Sequence, residues 1–206
     1  MRGKLFVIEG GDGCGKQTQS RLLVDAIKKM GEEAIYTDEP SAGGLGDRIR
    51  ADLASTGTHL SARTLQILFT GDRSQHVEEV IEPALEKGTH VVADRYWPST
   101  VAYGSALGMK KEEVEALINI NFGMFPKPDM VFILDLAPDT AAKRVQARGR
   151  QIDRHEKDMK LQTALRQTYK ELAKRFGDGW HVIDASRTKE EIHREIMSFV
   201  EKSLKA

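Results

Sequence analysis

One cysteine, six prolines, an aromatic content of 6% and no net charge are what this chain of 206 residues makes do with. With Cys14 alone, no intrachain disulfide forms, and the sequence reads as that of a reducing, cytoplasmic setting. Lys plus Arg and Asp plus Glu number 31 each, so no overall basic field points to a nucleic acid polymer or an anionic membrane as partner. No run approaches the roughly 18 apolar residues that span a bilayer. The apolar run after Met1-Arg2-Gly3-Lys4 is too short for a signal peptide. Repeats, low-complexity tracts and linkers are missing as well. What remains is the expectation of one domain, 1–206, long enough to bury a full core.

The stretch that is present and specific runs from Gly10 to Thr18: Gly10, Gly11, Asp12, Gly13, Cys14, Gly15, Lys16, Gln17, Thr18. It follows the apolar run Leu5-Phe6-Val7-Ile8 and precedes Leu22, Leu23, Ala26, Ile27 and Met30 at helical spacing. Gly10, four residues, then Gly15-Lys16 is the spacing of a phosphate-binding P-loop. Glycines let successive backbone N–H groups curl round phosphate oxygens, and the following helix aims the positive end of its dipole at them. Lys16 adds a mobile charge for the outer phosphates. The motif expects Ser or Thr after the lysine as a magnesium ligand; here Gln17 stands there and Thr18 comes one place late. The plainer reading is a glycine-rich turn that binds nothing. Cys14, beside the lysine and the helix dipole, is either a thiol drawn toward its thiolate or a small residue filling a crowded turn.

Short β-rich segments are expected at Leu5–Glu9, Glu33–Thr37, His90–Asp94, Met130–Leu136 and Trp180–Ile183, with helix-period segments between them. Runs such as Val131-Phe132-Ile133-Leu134 fit strands covered on both faces. Alternating β and α elements with buried strands predict an α/β fold, a doubly wound five-stranded parallel sheet, with ligands at the carboxyl ends of its strands. Helices are expected near Leu45–Leu53, over Ala62–Glu86 as one or two pieces with a kink at Pro83, over Asp139–Ala147, from Lys157 to Phe176 and from Lys189 to Leu204.

The third strand ends in Asp94-Arg95-Tyr96. A carboxylate closing an apolar strand in a P-loop protein suits a magnesium-organising role. Arg95 beside it suits a second phosphate, held bidentately, or else a salt-bridged surface pair. Asp135, ending the fourth strand, competes for the carboxylate role, with Asp94 preferred for its neighbouring cation and the polar start Ser99-Thr100. Arg148, Arg150 and Arg154 with Gly149 suggest a cationic lid at about 147–156, or a solvated charge run. Phe69 lies one helical turn before Arg73, so a base can stack on one and bond the other, unless Phe69 is ordinary core. A P-loop with a metal carboxylate takes a nucleoside triphosphate. The Asn-Lys-x-Asp base reader of a signalling GTPase is missing, a nucleotide-dependent binding or ATPase module needs no second anion pocket, and a small-molecule kinase does.

Over nearly its whole length the chain resembles the thymidylate kinases, of the nucleoside monophosphate kinase group. The resemblance rests on GGDGCGKQT, Glu39-Pro40, Leu68-Phe69 to Arg73, DRYWPSTVAY from Asp94 to Tyr103, Pro128-Asp129 and the arginine run. It implies transfer of the γ-phosphoryl group of ATP to dTMP with magnesium. Lys16, Asp94 and Arg148 would be catalytic, the last as the lid arginine, since Gly13 leaves no arginine in the P-loop. Asp12 would meet the 3′-hydroxyl of the acceptor sugar. Glu39 would organise metal-bound water and the acceptor end, and Gln17 with Asp94 would serve the metal. Arg50 and Arg95 would hold the acceptor phosphate, with Ser99 beside them. Phe69 would stack on thymine, Arg73 would bond its O4, and Tyr103 would crowd out a 2′-hydroxyl. Arg144 would stack on adenine near Asp184-Ala185-Ser186. A cytoplasmic homodimer is implied. Besides Gln17, two residues depart from the family's pattern: Gly104 where many members have Gln, and Asp38 where bacterial members often have Arg. The first opens the alternative of a broader deoxynucleoside monophosphate kinase.

Overall fold

The computed structural model describes residues 2–55, 57, 59–147 and 158–205. Five parallel strands form one sheet: β1 (Leu5–Glu9), β2 (Ala34–Asp38), β3 (His90–Asp94), β4 (Met130–Asp135) and β5 (Trp180–Asp184), in the spatial order β2-β3-β1-β4-β5. The predicted strands agree with these to within one residue at each end.

Successive side chains of a strand point to opposite faces, and both faces are apolar here. Leu5, Val7, Val91, Ala93, Val131 and Ile133 pack on one side, under α5 (Trp97–Ala106), α6 (Lys111–Met124) and α8 (Met159–Phe176). Phe6, Ile8, Val92, Phe132 and Leu134 pack on the other, under α1 (Lys16–Lys29), α7 (Pro138–Gln146) and α9 (Lys189–Leu204). That double burial is why the strands read as continuous apolar runs. Aromatics are few but concentrated. Trp97, Phe122, Phe176 and Trp180 contact one another at 5.0–5.5 Å between centroids, joining α5, α6, α8 and β5.

After β2 come α2 (Gly44–Ala54) and α3 (Ala62–His76); a π-helical turn, Val77–Ile81, then leads into α4 (Glu82–Glu86). Pro83, where a kink was expected, sits in the first turn of α4, directly after the π-helical turn. Helix α6 was not among the expected helices, although Val114, Leu117, Ile118 and Asn121 stand at helical spacing. Ser61 caps α3 through the N–H of Thr64, and Thr188 and Glu191 form a capping box on α9. With β1 at the centre and the chain leaving it to either side, a crevice opens at the carboxyl ends of β1, β3 and β4.

Candidate active site

The turn after β1 is the expected phosphate loop. Gly10 (φ 137°) and Gly13 (φ 81°) adopt backbone conformations that side chains disfavour. A Cβ on Gly13 would also stand 2.6 Å from the carbonyl oxygen of Ala141 and 2.9 Å from Val145, so α7 packs directly on the loop there. Lys16 opens α1, and its Nζ donates to the carbonyls of Gly10 and Gly11 at 3.0 and 2.9 Å. Cys14 is buried among the core residues on the α1 side of the sheet. Burial pushes its thiol up and outweighs the pull of Lys16 and Arg95. Of the two readings of Cys14, the small residue filling a crowded turn is the one that fits.

Arg95 follows β3 at φ 73°, a left-handed conformation that costs a non-glycine residue about 1–2 kcal/mol. The neighbouring bonds offset it. Arg95 N donates to the carbonyl of Ile8 at 3.1 Å. The next N–H, of Tyr96, and that of Ser99 both reach one oxygen of Glu9, at 2.9 and 3.1 Å. The other Glu9 oxygen accepts from the Ser99 hydroxyl (2.7 Å) and the Tyr169 hydroxyl (3.0 Å). Glu9 is fully buried at the end of β1, and desolvation raises its pKa despite Arg95 and these donors. It went unremarked in the sequence, although a carboxylate closing an apolar strand is the same signal that marked Asp94.

So turned, Arg95 sends its guanidinium back under the phosphate loop. It pairs with Asp12, donates to Ser99 Oγ at 3.2 Å, and lies over the Tyr103 ring, 5.4 Å from its centroid. Asp12 also accepts from the Tyr103 hydroxyl (2.9 Å) and from Gln162 Nε2 of α8 (3.0 Å). Burial opposes its charge, yet Arg95, Lys16, Tyr103 and Gln162 together hold its pKa down to about 2. Gln162 was missed as well; it is a buried polar residue set in the apolar face of Leu161, Leu165 and Tyr169.

Two cavities meet at Asp12 and Arg95. A polar one of about 520 Å³ is lined by Gly13, Gly15, Lys16, Gln17, Thr18, Asp38, Glu39 and Asp94 together with Asp12 and Arg95. A smaller one of about 170 Å³ is lined by the same pair with Pro40, Leu53, Gln66, Phe69, Ser99, Thr100 and Tyr103. Phe69 is thus a cavity wall rather than core. The space beside Gly104 is taken by Met109, Gln66 and Leu117, whose nearest atoms lie 3.0, 3.5 and 3.6 Å from where a Cβ would be.

The carboxylate competition resolves in geometry. Asp135 is paired with Arg166 and lies 3.6 Å from Lys170, both on α8, and its hydrogen bond to Arg166 holds its pKa down. Asp94 instead faces the polar cavity. Burial raises its pKa, Asp38 and Asp12 add to that, and Lys16 and Arg95 pull the other way. Such crowding of acids favours a cation. Among the described residues no group of three or more His, Cys, Asp or Glu forms a protein-only cage. That fits magnesium, which uses one or two carboxylates and takes its other ligands from phosphates and water.

Glu39, by contrast, gives both oxygens to Arg73: Nε donates to Oε1 at 3.1 Å and Nη2 pairs with Oε2. Arg73 is fully buried and donates further to Asn121 Oδ1 (2.8 Å) and Thr100 Oγ1 (3.0 Å). Neither cavity is lined by Arg73. Arg50 also stays apart. It ties down the loop after β2 through the carbonyls of Pro40 and Ser41, each at 2.8 Å, and pairs with Asp47. Arg144 does reach the loop after β5, donating to the carbonyl of Ala185 at 3.0 Å, and it lines a further cavity with Gly13, Gly15, Thr18, Arg187 and Thr188. Arg148, Arg150, Arg154 and nearly all of the expected lid lie outside the described residues. No described helix is long and apolar enough to cross a membrane.

A family model described as thymidylate kinase matches residues 8–196. A probable thymidylate kinase of Pyrococcus abyssi (strain GE5 / Orsay) is 36% identical over 208 residues, covering 99% of this chain and 98% of that protein. A thymidylate kinase of Caldanaerobacter subterraneus subsp. tengcongensis is 36% identical over 208 residues, covering 100% of this chain and 98% of its own. One of Halothermothrix orenii is 37% identical over 206 residues, covering 95% of each. The match spans the phosphate loop, the Asp94–Tyr103 segment and the sheet that brings them together. A parallel α/β phosphotransferase fold of this kind, matched end to end, places the chain in the thymidylate kinase family.

Proposed function

We propose that this chain transfers the γ-phosphoryl group of ATP to dTMP, giving ADP and dTDP. One observation carries the reading. Asp12 and Arg95 line both the polar phosphate cavity and the Phe69 cavity, so one ion pair stands where a donor and an acceptor would meet head to head. Two phosphorylated nucleotides repel, and phosphoryl transfer leaves a protein little covalent work beyond alignment and charge neutralisation.

In this reading Lys16 leaves its loop carbonyls for the outer phosphates of ATP, and Arg144 stacks on adenine beside Ala185. Arg95 exchanges Asp12 for the acceptor phosphate, and Asp12 turns to the 3′-hydroxyl. Phe69 stacks on the base, and Tyr103 lies against the deoxyribose where a 2′-hydroxyl would otherwise fit. Arg73, held by Glu39, Asn121 and Thr100 behind Phe69, backs the base pocket and does not reach O4 without giving up that burial. Asp94, with Gln17 and Thr18 alongside, would hold magnesium, which when bound neutralises the phosphate oxygens. Glu39, with both oxygens on Arg73, reaches a metal through water. Arg148 supplies lid charge to the transferring group, and Arg50 adds to the field at the acceptor end. A cytoplasmic homodimer completes the proposal.

The test is ADP release with ATP and magnesium, alone and with dTMP, dUMP, dCMP or dGMP. The expected result is little turnover without an acceptor and the highest kcat/KM with dTMP. A different best acceptor replaces this reading with the broader deoxynucleotide kinase, for which the absence of a side chain at Gly104 speaks. ADP formation indifferent to every monophosphate would leave an ATPase module instead.

A further inference from the structure

Helix α3 presents Gln66, Phe69 and Arg73 at spacings of three and four residues, hence along one face. Phe69 walls the smaller cavity, and Arg73 is sealed behind it by Glu39, Asn121 and Thr100. Gln66 is different from both. It lines the same cavity and is 1% exposed, and its Nε2 has no hydrogen-bond partner among the described residues. A buried amide donor without a partner is costly, and native proteins rarely leave one without a use. The neighbouring hydroxyls are engaged elsewhere: Thr100 Oγ1 accepts from Arg73, and Ser99 Oγ is bonded to Glu9. Gln66 Cγ stands beside Gly104, 3.5 Å from where a Cβ of that residue would lie, an ordinary contact distance.

We infer that Gln66 is a specificity-determining residue of the acceptor cavity: its amide bonds the base edge formed by N3 and the substituent at C4. A planar ring lying on Phe69 turns an edge toward a neighbour one turn along the same helix. A carboxamide matches that edge in two orientations. With N–H toward O4 and C=O toward N3–H it fits thymine or uracil; turned over, it accepts from the 4-amino group of cytosine and donates to N3. No bond at Nε2 holds the amide one way up, so the site takes pyrimidine deoxynucleotides as a class and ranks them by this contact. The inference rests on the kinase reading above and refines which acceptors that site distinguishes.

The experiment is steady-state kinetics of the wild type, Gln66→Met and Gln66→Glu with dTMP, dUMP and dCMP, alongside thermal melts of each. Gln66→Met keeps the volume and removes the amide. It should raise KM for dTMP about 3–10-fold with kcat within about twofold, as expected for loss of one neutral hydrogen bond made equally in ground and transition states. Gln66→Glu, which only accepts, keeps one bond to either base, from thymine N3–H or from the 4-amino group of cytosine, and loses the donor, so it should raise KM for both dTMP and dCMP about 3–10-fold. An unchanged dTMP KM in the folded methionine variant overturns the inference. So does an unchanged KM for both dTMP and dCMP in the folded glutamate variant, or a fall in kcat with KM unchanged in either variant, which would mean that Gln66 only packs. A wild type that makes no ADP with any of the three defeats the kinase reading and this refinement with it, whereas an active wild type with indifferent variants defeats the refinement alone.

Discussion

Two guanidinium–carboxylate pairs lie near each other beneath the crevice, and they are built to different ends. Arg73 and Glu39 have side chains 1% and 2% exposed, and the protein closes round them with Asn121, Thr100 and the Tyr96 ring. Arg95 and Asp12 are 17% and 14% exposed and open onto both cavities. The first pair fixes where Pro40 and α3 sit. The second can trade its partner for a ligand's oxygen. A buried pair adds little net stability but is costly to break from one side, while a pair facing a cleft keeps its charge available. The left-handed Arg95 belongs with the second kind, because local strain is carried where the side chain's aim matters.

The largest expected effect separates the pairs by activity. Arg95→Ala should lower kcat/KM roughly 10²–10³-fold, as for removal of one partner of a desolvated charge pair. Its melting temperature should fall less than that of Arg73→Ala. If the two variants lose activity and stability in the same proportion, the distinction between them is wrong.

Next comes stability. Arg73→Ala leaves Glu39 buried without its bidentate partner, His76 standing 3.4 Å away, and should destabilise the fold by about 3–5 kcal/mol in denaturant melts. The double variant Glu39→Leu/Arg73→Met should regain most of that. A double variant no better than the single would assign Glu39 a further role in stability.

A smaller effect follows from Asp12. Its folded pKa is depressed from 3.8 to about 2, so its contribution is full above pH ~4 and is lost as pH falls toward 2. That shift amounts to about 2 kcal/mol. Asp12→Asn should flatten this part of the stability profile; a slope unchanged between pH 4 and 2 would place the titration elsewhere. Glu9 has the opposite sign. Its raised pKa means that ionisation costs the folded state, so its contribution declines as pH rises above 4.5.

The smallest change is expected for Glu9→Gln. One amide oxygen can keep the N–H groups of Tyr96 and Ser99, and the hydroxyls of Ser99 and Tyr169 can reverse to accept from the amide. The cost should stay under about 1 kcal/mol in a thermal melt, and a larger loss would mean that the charge, and not the bond geometry, holds the Arg95 turn.

Local pattern was enough to read the sheet, the phosphate loop and the acid-ended strand at Asp94, because each is written in consecutive residues. Short apolar runs between polar turns suit buried strands, and glycines with a lysine at fixed offsets suit a phosphate cradle. Tertiary structure alone decided which charges are free. Nothing local distinguishes Arg73 from Arg95, and the residues after Asp94 favoured it over Asp135 without showing that Asp135 is engaged. The difference lies in partners contributed by distant segments: Glu39 and Asn121 for Arg73, and α8 for Asp135. Gln162 and Gln66 escaped notice for the same reason, whereas Glu9 carried the local signal that marked Asp94 and was passed over. Desolvation and hydrogen-bond satisfaction depend on what packs around a polar group, and only the folded chain assembles those neighbours.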